Sequence, residues 1–209
     1  MCHIAALKCA KVADLVLALD QSASIVGQKA GGMKNWNLRV LDFARKIAGA
    51  FTIGQTETQV GVLKFNQTVD IVFNLNRYSD RASLLDAIGK IPIYGGDTNI
   101  AIALRTARES MFIPSSGSRS NVAKVLILLT DGTANFEETN TVTEATQTKD
   151  AGIKILTVGV TSEVKEEQLK EIASDRSYYF YAADFDQLNN ILHDVVETSC
   201  TVVETGGRI

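Results

Sequence analysis

Three short segments of the 209-residue chain carry hard oxygen donors at close spacing. Asp20-Gln21-Ser22-Ala23-Ser24 sets a carboxylate and two hydroxyls at alternate positions. Gly95-Gly96-Asp97-Thr98-Asn99 and Thr130-Asp131-Gly132 supply further carboxylate and hydroxyl groups. Such a set suits a hard cation. Mg2+ prefers near-octahedral oxygen ligation and commonly keeps some of its waters, with Mn2+ or Ca2+ as substitutes. Zn2+ would favour thiolate or imidazole, and His3 and His193 lie far apart in the sequence. Few anionic donors leave a cation electrophilic, ready to accept one more carboxylate from outside the protein. Each segment also has a plainer reading. Ser22 or Ser24 could cap the next element, Thr98 could be a helix N-cap, and Asp131-Gly132 could be a turn. Only their joint placement makes a site, and that depends on the elements that carry them.

Those elements alternate between short β-rich runs and amphipathic stretches. Asp14–Leu19 is continuously apolar after its first residue, as expected for a strand buried on both faces. Trp36–Phe51 spaces Trp36, Val40, Phe43, Ala44, Ile47 and Phe51 as a helix would. Gln59–Phe65 and Val69–Phe73 are β-type runs joined by Asn66-Gln67-Thr68, which predicts a hairpin and an antiparallel edge strand. Helices are expected over Ser79–Ile88 and Thr98–Met111, and Val122–Leu129 is the strongest strand. A helix follows at Glu138–Ala151, with Gly152 placed to end it. Ile153–Val160 then reads as strand, Lys165–Ile172 as helix, Tyr178–Tyr181 as strand and Phe185–Val196 as the closing helix. Strands alternating with helices imply crossovers. The fold class is therefore α/β: a doubly wound, mainly parallel sheet with one antiparallel edge strand and helices on both faces. In such folds ligands bind beyond the carboxyl ends of the strands, where the strand order switches. Two of the donor segments follow core strands and the third precedes a helix.

Composition sets outer limits. The length, with 45% hydrophobic and 22% charged residues, fits one domain with a sizeable core. A net charge of −3 without a dense basic run gives no nucleic-acid footprint. No apolar run approaches the roughly 20 residues that span a bilayer. The opening MCHIAALKCAKVAD is too short and too weakly apolar for an intact signal peptide. That leaves an intracellular chain, or one beginning after a removed leader with an added methionine. Residues 1–13 read as a lead-in, 14–200 as the domain and 201–209 as a tail or linker. Of the cysteines Cys2, Cys9 and Cys200, the last two bracket the patterned region. A disulfide between its ends would imply an oxidising compartment, and the alternative is three unrelated thiols. The sequon Asn66-Gln67-Thr68 makes Asn66 a candidate glycosylation site, in keeping with secretion.

With these residues in place, the chain resembles the von Willebrand factor type A domain, the fold shared with integrin I domains, over about Asp14–Cys200. The family's metal-ion-dependent adhesion site has an Asp-x-Ser-x-Ser motif, matched by Asp20, Ser22 and Ser24. Its later threonine matches Thr98 within GGDTN, and its later aspartate matches Asp131 within LLTDG. The resemblance implies Mg2+ held by these five residues, completed by an aspartate or glutamate of a partner protein. It also implies a Rossmann-like sheet, a secreted adhesion or matrix module, and collagen or another extracellular matrix protein as partner. Invertebrate matrix proteins, those of mussel byssal threads among them, are a home it suggests, and such a domain can be one module of a larger protein. The flanking cysteines look like those of the secreted branch.

Around the metal, Lys29, Lys34, Asp97, Asn99 and Glu137 are candidate rim residues for the ligand. Residues Ile25–Lys34 form a glycine-rich link longer than the family's usual one, either a recognition loop or a surface insertion. Two other readings use the same residues. An intracellular type A assembly module would keep Cys9 and Cys200 reduced. A Mg2+-dependent phosphatase of the haloacid dehalogenase type would need a second carboxylate two residues after Asp20, where this chain has Ser22. A serine hydrolase would need Gly-x-Ser-x-Gly and a usable histidine. The expected function is therefore binding, without catalysis.

Overall fold

The computed structural model describes residues 8–26, 36–132 and 138–206. A six-stranded sheet in the order β3-β2-β1-β4-β5-β6 forms its middle layer. The strands are β1 (Ala13–Asp20), β2 (Gln59–Phe65), β3 (Val69–Phe73), β4 (Ala123–Thr130), β5 (Ile153–Val160) and β6 (Tyr179–Ala182). Every neighbouring pair is parallel except β2 with β3, the edge hairpin that the short Asn66-Gln67-Thr68 connection predicts.

The continuous apolar runs are explained by burial on both faces. Leu15, Leu17 and Leu19 of β1 look into one layer, while Val16 and Ala18 look into the other. Val125, Ile127 and Leu129 of β4 alternate with Leu126 and Leu128 in the same way. The first layer is closed by Trp36 and by helices α2 (Leu41–Ala50), α3 (Arg81–Ile88) and α7 (Leu188–Gly206). The second is closed by α4 (Ile100–Thr106), α5 (Glu138–Asp150) and α6 (Glu166–Ile172). Helices on both faces are what a parallel sheet requires of its crossovers. A four-residue turn, α1 (Ala23–Val26), follows β1 directly.

Three local expectations are corrected. Trp36–Phe51 and Thr98–Met111 are not uniform α-helices. Each contains a π-helical stretch, at Trp36–Val40 and Ala107–Met111, and α4 starts only after Asn99. The closing helix does not stop at Val196. It runs to Gly206, because Val195, Ser199, Val202 and Val203 keep helical spacing and remain buried. Residues 201–206, read from sequence as tail or linker, are therefore helical. Gly152 does end α5, with φ +77° and its N–H donating to Lys149 O at 2.9 Å.

The two ends of this fold are joined covalently. Cys9 and Cys200 form a disulfide with Cα atoms 5.8 Å apart. Cys9 is itself docked, its N–H donating to Ala50 O at 2.7 Å, so the segment from Cys9 to β1 is held in place. At the incoming end of β1, buried Asp14 is clamped by Arg119. The Arg119 backbone N–H donates to Asp14 Oδ2 at 2.6 Å and its Nε to Oδ1 at 2.9 Å. No helix among the described residues is long and apolar enough to cross a membrane.

Candidate metal centre

Strand β1 leads to β2 on one side of the sheet and pairs with β4 on the other, so the order switches between β1 and β4. The loops after these two strands diverge there and leave a crevice. Register pairs Leu19 with Leu129, which sets Asp20 beside Thr130 and brings Asp131 to the same edge. Asp20 and Asp131 are both buried.

Hydrogen bonds fix the first loop tightly. The Ser22 N–H donates to Asp20 Oδ1 at 2.8 Å, and Thr130 Oγ1 donates to Asp20 Oδ2 at 2.5 Å. Ser24 Oγ donates to Asp131 Oδ1 at 2.6 Å and lies 2.9 Å from Ser22 Oγ. A hydroxyl bridge thus links the β1 loop to the β4 loop. Thr98 arrives from the third segment. A Cβ built on Gly132 would stand 3.4 Å from Thr98 Oγ1 and 3.8 Å from Ser24 Oγ, so both hydroxyls border the same glycine. The Ala23 N–H donates to Gly96 O at 2.7 Å and ties the first and second loops together.

The electrostatics are those of an uncompensated pair. Burial pushes the Asp20 carboxyl up to about 6, against hydrogen bonds from Thr130 and Ser22 that pull it down. Burial, and then the charge of Asp20, push Asp131 up to about 7. Among the described residues, no lysine or arginine is among the groups that shift either carboxyl. A buried negative charge without a counter-charge is costly, and a divalent cation would relieve both at once. The donor set fits a hard ion. Among the described residues no group of three or more His, Cys, Asp or Glu side chains converges, and the remaining donors here are neutral hydroxyls. His193 is exposed on α7, 3.5 Å from Glu197, and takes no part.

The surroundings differ from expectation in several places. Asp97 is exposed, as a rim residue must be. Asn99 is buried and its side chain accepts from the Ile102 N–H at 3.0 Å, so it is the N-cap of α4 and not a rim residue. The cap role expected for Thr98 has moved one residue along. Lys29, Lys34 and Glu137 lie outside the described residues, as do Cys2 and His3. Asn66 is buried with its amide nitrogen, the atom a glycan would take, donating to Gly95 O at 2.5 Å. Two contributions were missed from sequence. Thr130 belongs to a donor segment but acts by holding Asp20, and Asn66 with Gln67 holds the Thr98 loop.

Residues 14–194 match the von Willebrand factor type A domain. The chain belongs to that family. Its relatives include collagens and matrilins of the extracellular matrix and a transmembrane cell adhesion receptor of Caenorhabditis elegans. The collagen alpha-1(XII) chain of Notophthalmus viridescens is 34% identical over 199 residues, which are 94% of this chain and 20% of that protein. Matrilin-3 of Mus musculus is 31% identical over 194 residues, 90% of this chain and 38% of that one. This type A domain therefore spans well under half the length of both relatives. Among solved structures, proximal thread matrix protein 1 from the mussel byssus superposes with a TM-score of 0.86 at 27% identity. That likeness covers 92% of this chain and 49% of the other, whose MIDAS motif is occupied by zinc.

Proposed function

We propose that this type A domain is a secreted matrix-adhesion module that holds Mg2+ through Asp20, Ser22, Ser24, Thr98 and Asp131. The reading is carried by the buried, uncompensated carboxylates of Asp20 and Asp131 with the hydroxyls that surround them. Bound there, a divalent cation supplies an electrostatic anchor for one carboxylate of a partner protein. The chain's own residues set how strong that anchor is. Among the described residues only two carboxylates enter, and Ser22 and Ser24 add neutral oxygens, so the local negative charge stays low and a third, external carboxylate is tolerated. Exposed Asp97 stands at the edge of the site and would bear on which partner approaches.

The partner class is an extracellular matrix protein, collagen first. The matrix proteins among the relatives favour it, and the Cys9–Cys200 disulfide favours an oxidising compartment. The domain works by binding alone, since Ser22 stands where a phosphatase would need its acid partner. The test is calorimetry with Mg2+ followed by adhesion to collagen-coated surfaces in Mg2+ or EDTA. Saturable Mg2+ binding with EDTA-sensitive adhesion is the expected outcome. Adhesion indifferent to EDTA, or phosphate-ester turnover abolished by Asp20→Ala, would overturn the reading.

A further inference from the structure

The β2–β3 hairpin turn lies at the same edge of the sheet as the metal crevice and carries the sequon Asn66-Gln67-Thr68. Its polar groups are spent on the neighbouring loop. Asn66 Nδ2 donates to Gly95 O at 2.5 Å, the Asn99 N–H donates to Asn66 O at 3.0 Å, and the Asp97 N–H donates to Gln67 Oε1 at 2.9 Å. The loop is thus gripped at alternate residues on both sides of Thr98. Asn66 is itself immobilised, because its Oδ1 accepts from the Thr68 N–H at 2.8 Å and from Thr68 Oγ1 at 2.9 Å. The Ala23 N–H also reaches Gly96 O at 2.7 Å, so the loop is held by both the turn and the Asp20–Ser24 segment.

We infer that this turn is a clamp that positions Thr98 for the metal, with Asn66 as its positioning residue; the inference rests on the adhesion reading above. Two further observations support it. Gly95 and Gly96 have φ of +83° and +120°, and a Cβ on Gly96 would lie 2.1 Å from Gln67 Oε1 and 2.9 Å from Asn66 Nδ2. Only glycine lets the loop close against the turn. Asn66 is also just 7% exposed, and the atom a glycan would take is the one that holds Gly95. A sugar on Nδ2 would occupy the space of the loop itself, so the sequon stays unmodified in the folded, metal-binding protein.

The experiment is a double-mutant cycle read by Mg2+ calorimetry. Asn66→Asp should lower Mg2+ affinity about tenfold, the scale of one well-made hydrogen bond, in an otherwise wild-type chain. In a Thr98→Ala background the same change should cost less than about twofold, because the clamp acts through Thr98. Equal losses in both backgrounds, or no loss at all, would overturn the inference. Gln67→Ala, on an exposed residue, serves if Asn66→Asp fails to fold. A metal-free readout separates this from the adhesion reading. In EDTA, hydrogen exchange at the Asp97 and Asn99 amides should quicken about tenfold in either variant, and unchanged exchange would sink the clamp even if wild type binds Mg2+. Should wild type bind no Mg2+, the adhesion reading falls, and the proposed role of the clamp falls with it, whatever the exchange shows. Mass analysis of protein secreted from eukaryotic cells should find the Asn66 peptide free of glycan. A glycosylated, Mg2+-binding species would refute the assignment.

Discussion

Asp14 and Asp20 stand at the two ends of β1, both excluded from water, and the fold treats them in opposite ways. Asp14 is held by three groups of one residue: the Arg119 backbone N–H, its Nε and its Nη2. Asp20 receives hydrogen bonds from Ser22 and Thr130 but meets a second carboxylate where a guanidinium would be welcome. The incoming end of the strand is thus electrically closed, and among the described residues the outgoing end is left one cation short. A buried carboxylate alone says little about function. One whose counter-charge is missing beside another of its kind is the better mark of a site.

That contrast can be broken at either end. The largest effect is expected from Arg119→Ala, which makes Asp14 as uncompensated as Asp20. It should cost about 3–5 kcal/mol in urea unfolding while leaving Mg2+ affinity unchanged. Next, Cys9→Ser with Cys200→Ser should cost about 2–5 kcal/mol, because the bridge closes nearly the whole chain into one loop. Because the bridge ties α7 to the segment that leads into β1, the double variant should also alter Mg2+-dependent adhesion, checked on the same surfaces.

Asp20→Ala should do the reverse of Arg119→Ala. Mg2+ affinity should fall about 100-fold or more, roughly 2.7 kcal/mol, with metal-free stability equal to wild type or higher. The smallest effect is a pH dependence in EDTA. The folded-state values of Asp20 and Asp131, about 6 and about 7, lie above the ordinary 3.8. The folded chain therefore holds protons that the unfolded chain releases, and stability falls as pH rises through 6 to 7. A loss of about 1–3 kcal/mol between pH 5 and pH 7.5 is expected, and saturating Mg2+ should abolish it. Thermal unfolding at both pH values, with and without Mg2+, checks the sign.

Most of the sheet could be read from the sequence because parallel strands buried on both faces leave unbroken apolar runs, as in Val125–Leu129. The Asp20, Ser22, Ser24 constellation has plain cap and turn readings taken singly, and became legible through its joint placement with Thr98 and Asp131 and its match to the type A motif. What stayed hidden depended on contacts between distant segments. Asn66 reads only as a glycan acceptor, and its hold on Gly95 shows only once the two loops are seen together. Asn99 reads as rim until α4 is found to start at Ile100, two residues later than the spacing suggests. The final turns of α7 look like tail because β-branched Val202 and Val203 are weak helix formers. Burial against the sheet layer, and the bond from Cys200 to Cys9, hold them helical.

That bond has a mechanical meaning as well. Were this domain set in a longer chain, tension arriving before Cys9 and leaving after Cys200 would cross a covalent link whose Cα atoms are 5.8 Å apart. The load would pass by the sheet without shearing β1 from β4, the pair whose diverging loops carry Asp20 and Asp131. A module wired in this way can be pulled by its own chain while its grip on a partner is strained only from the partner's side.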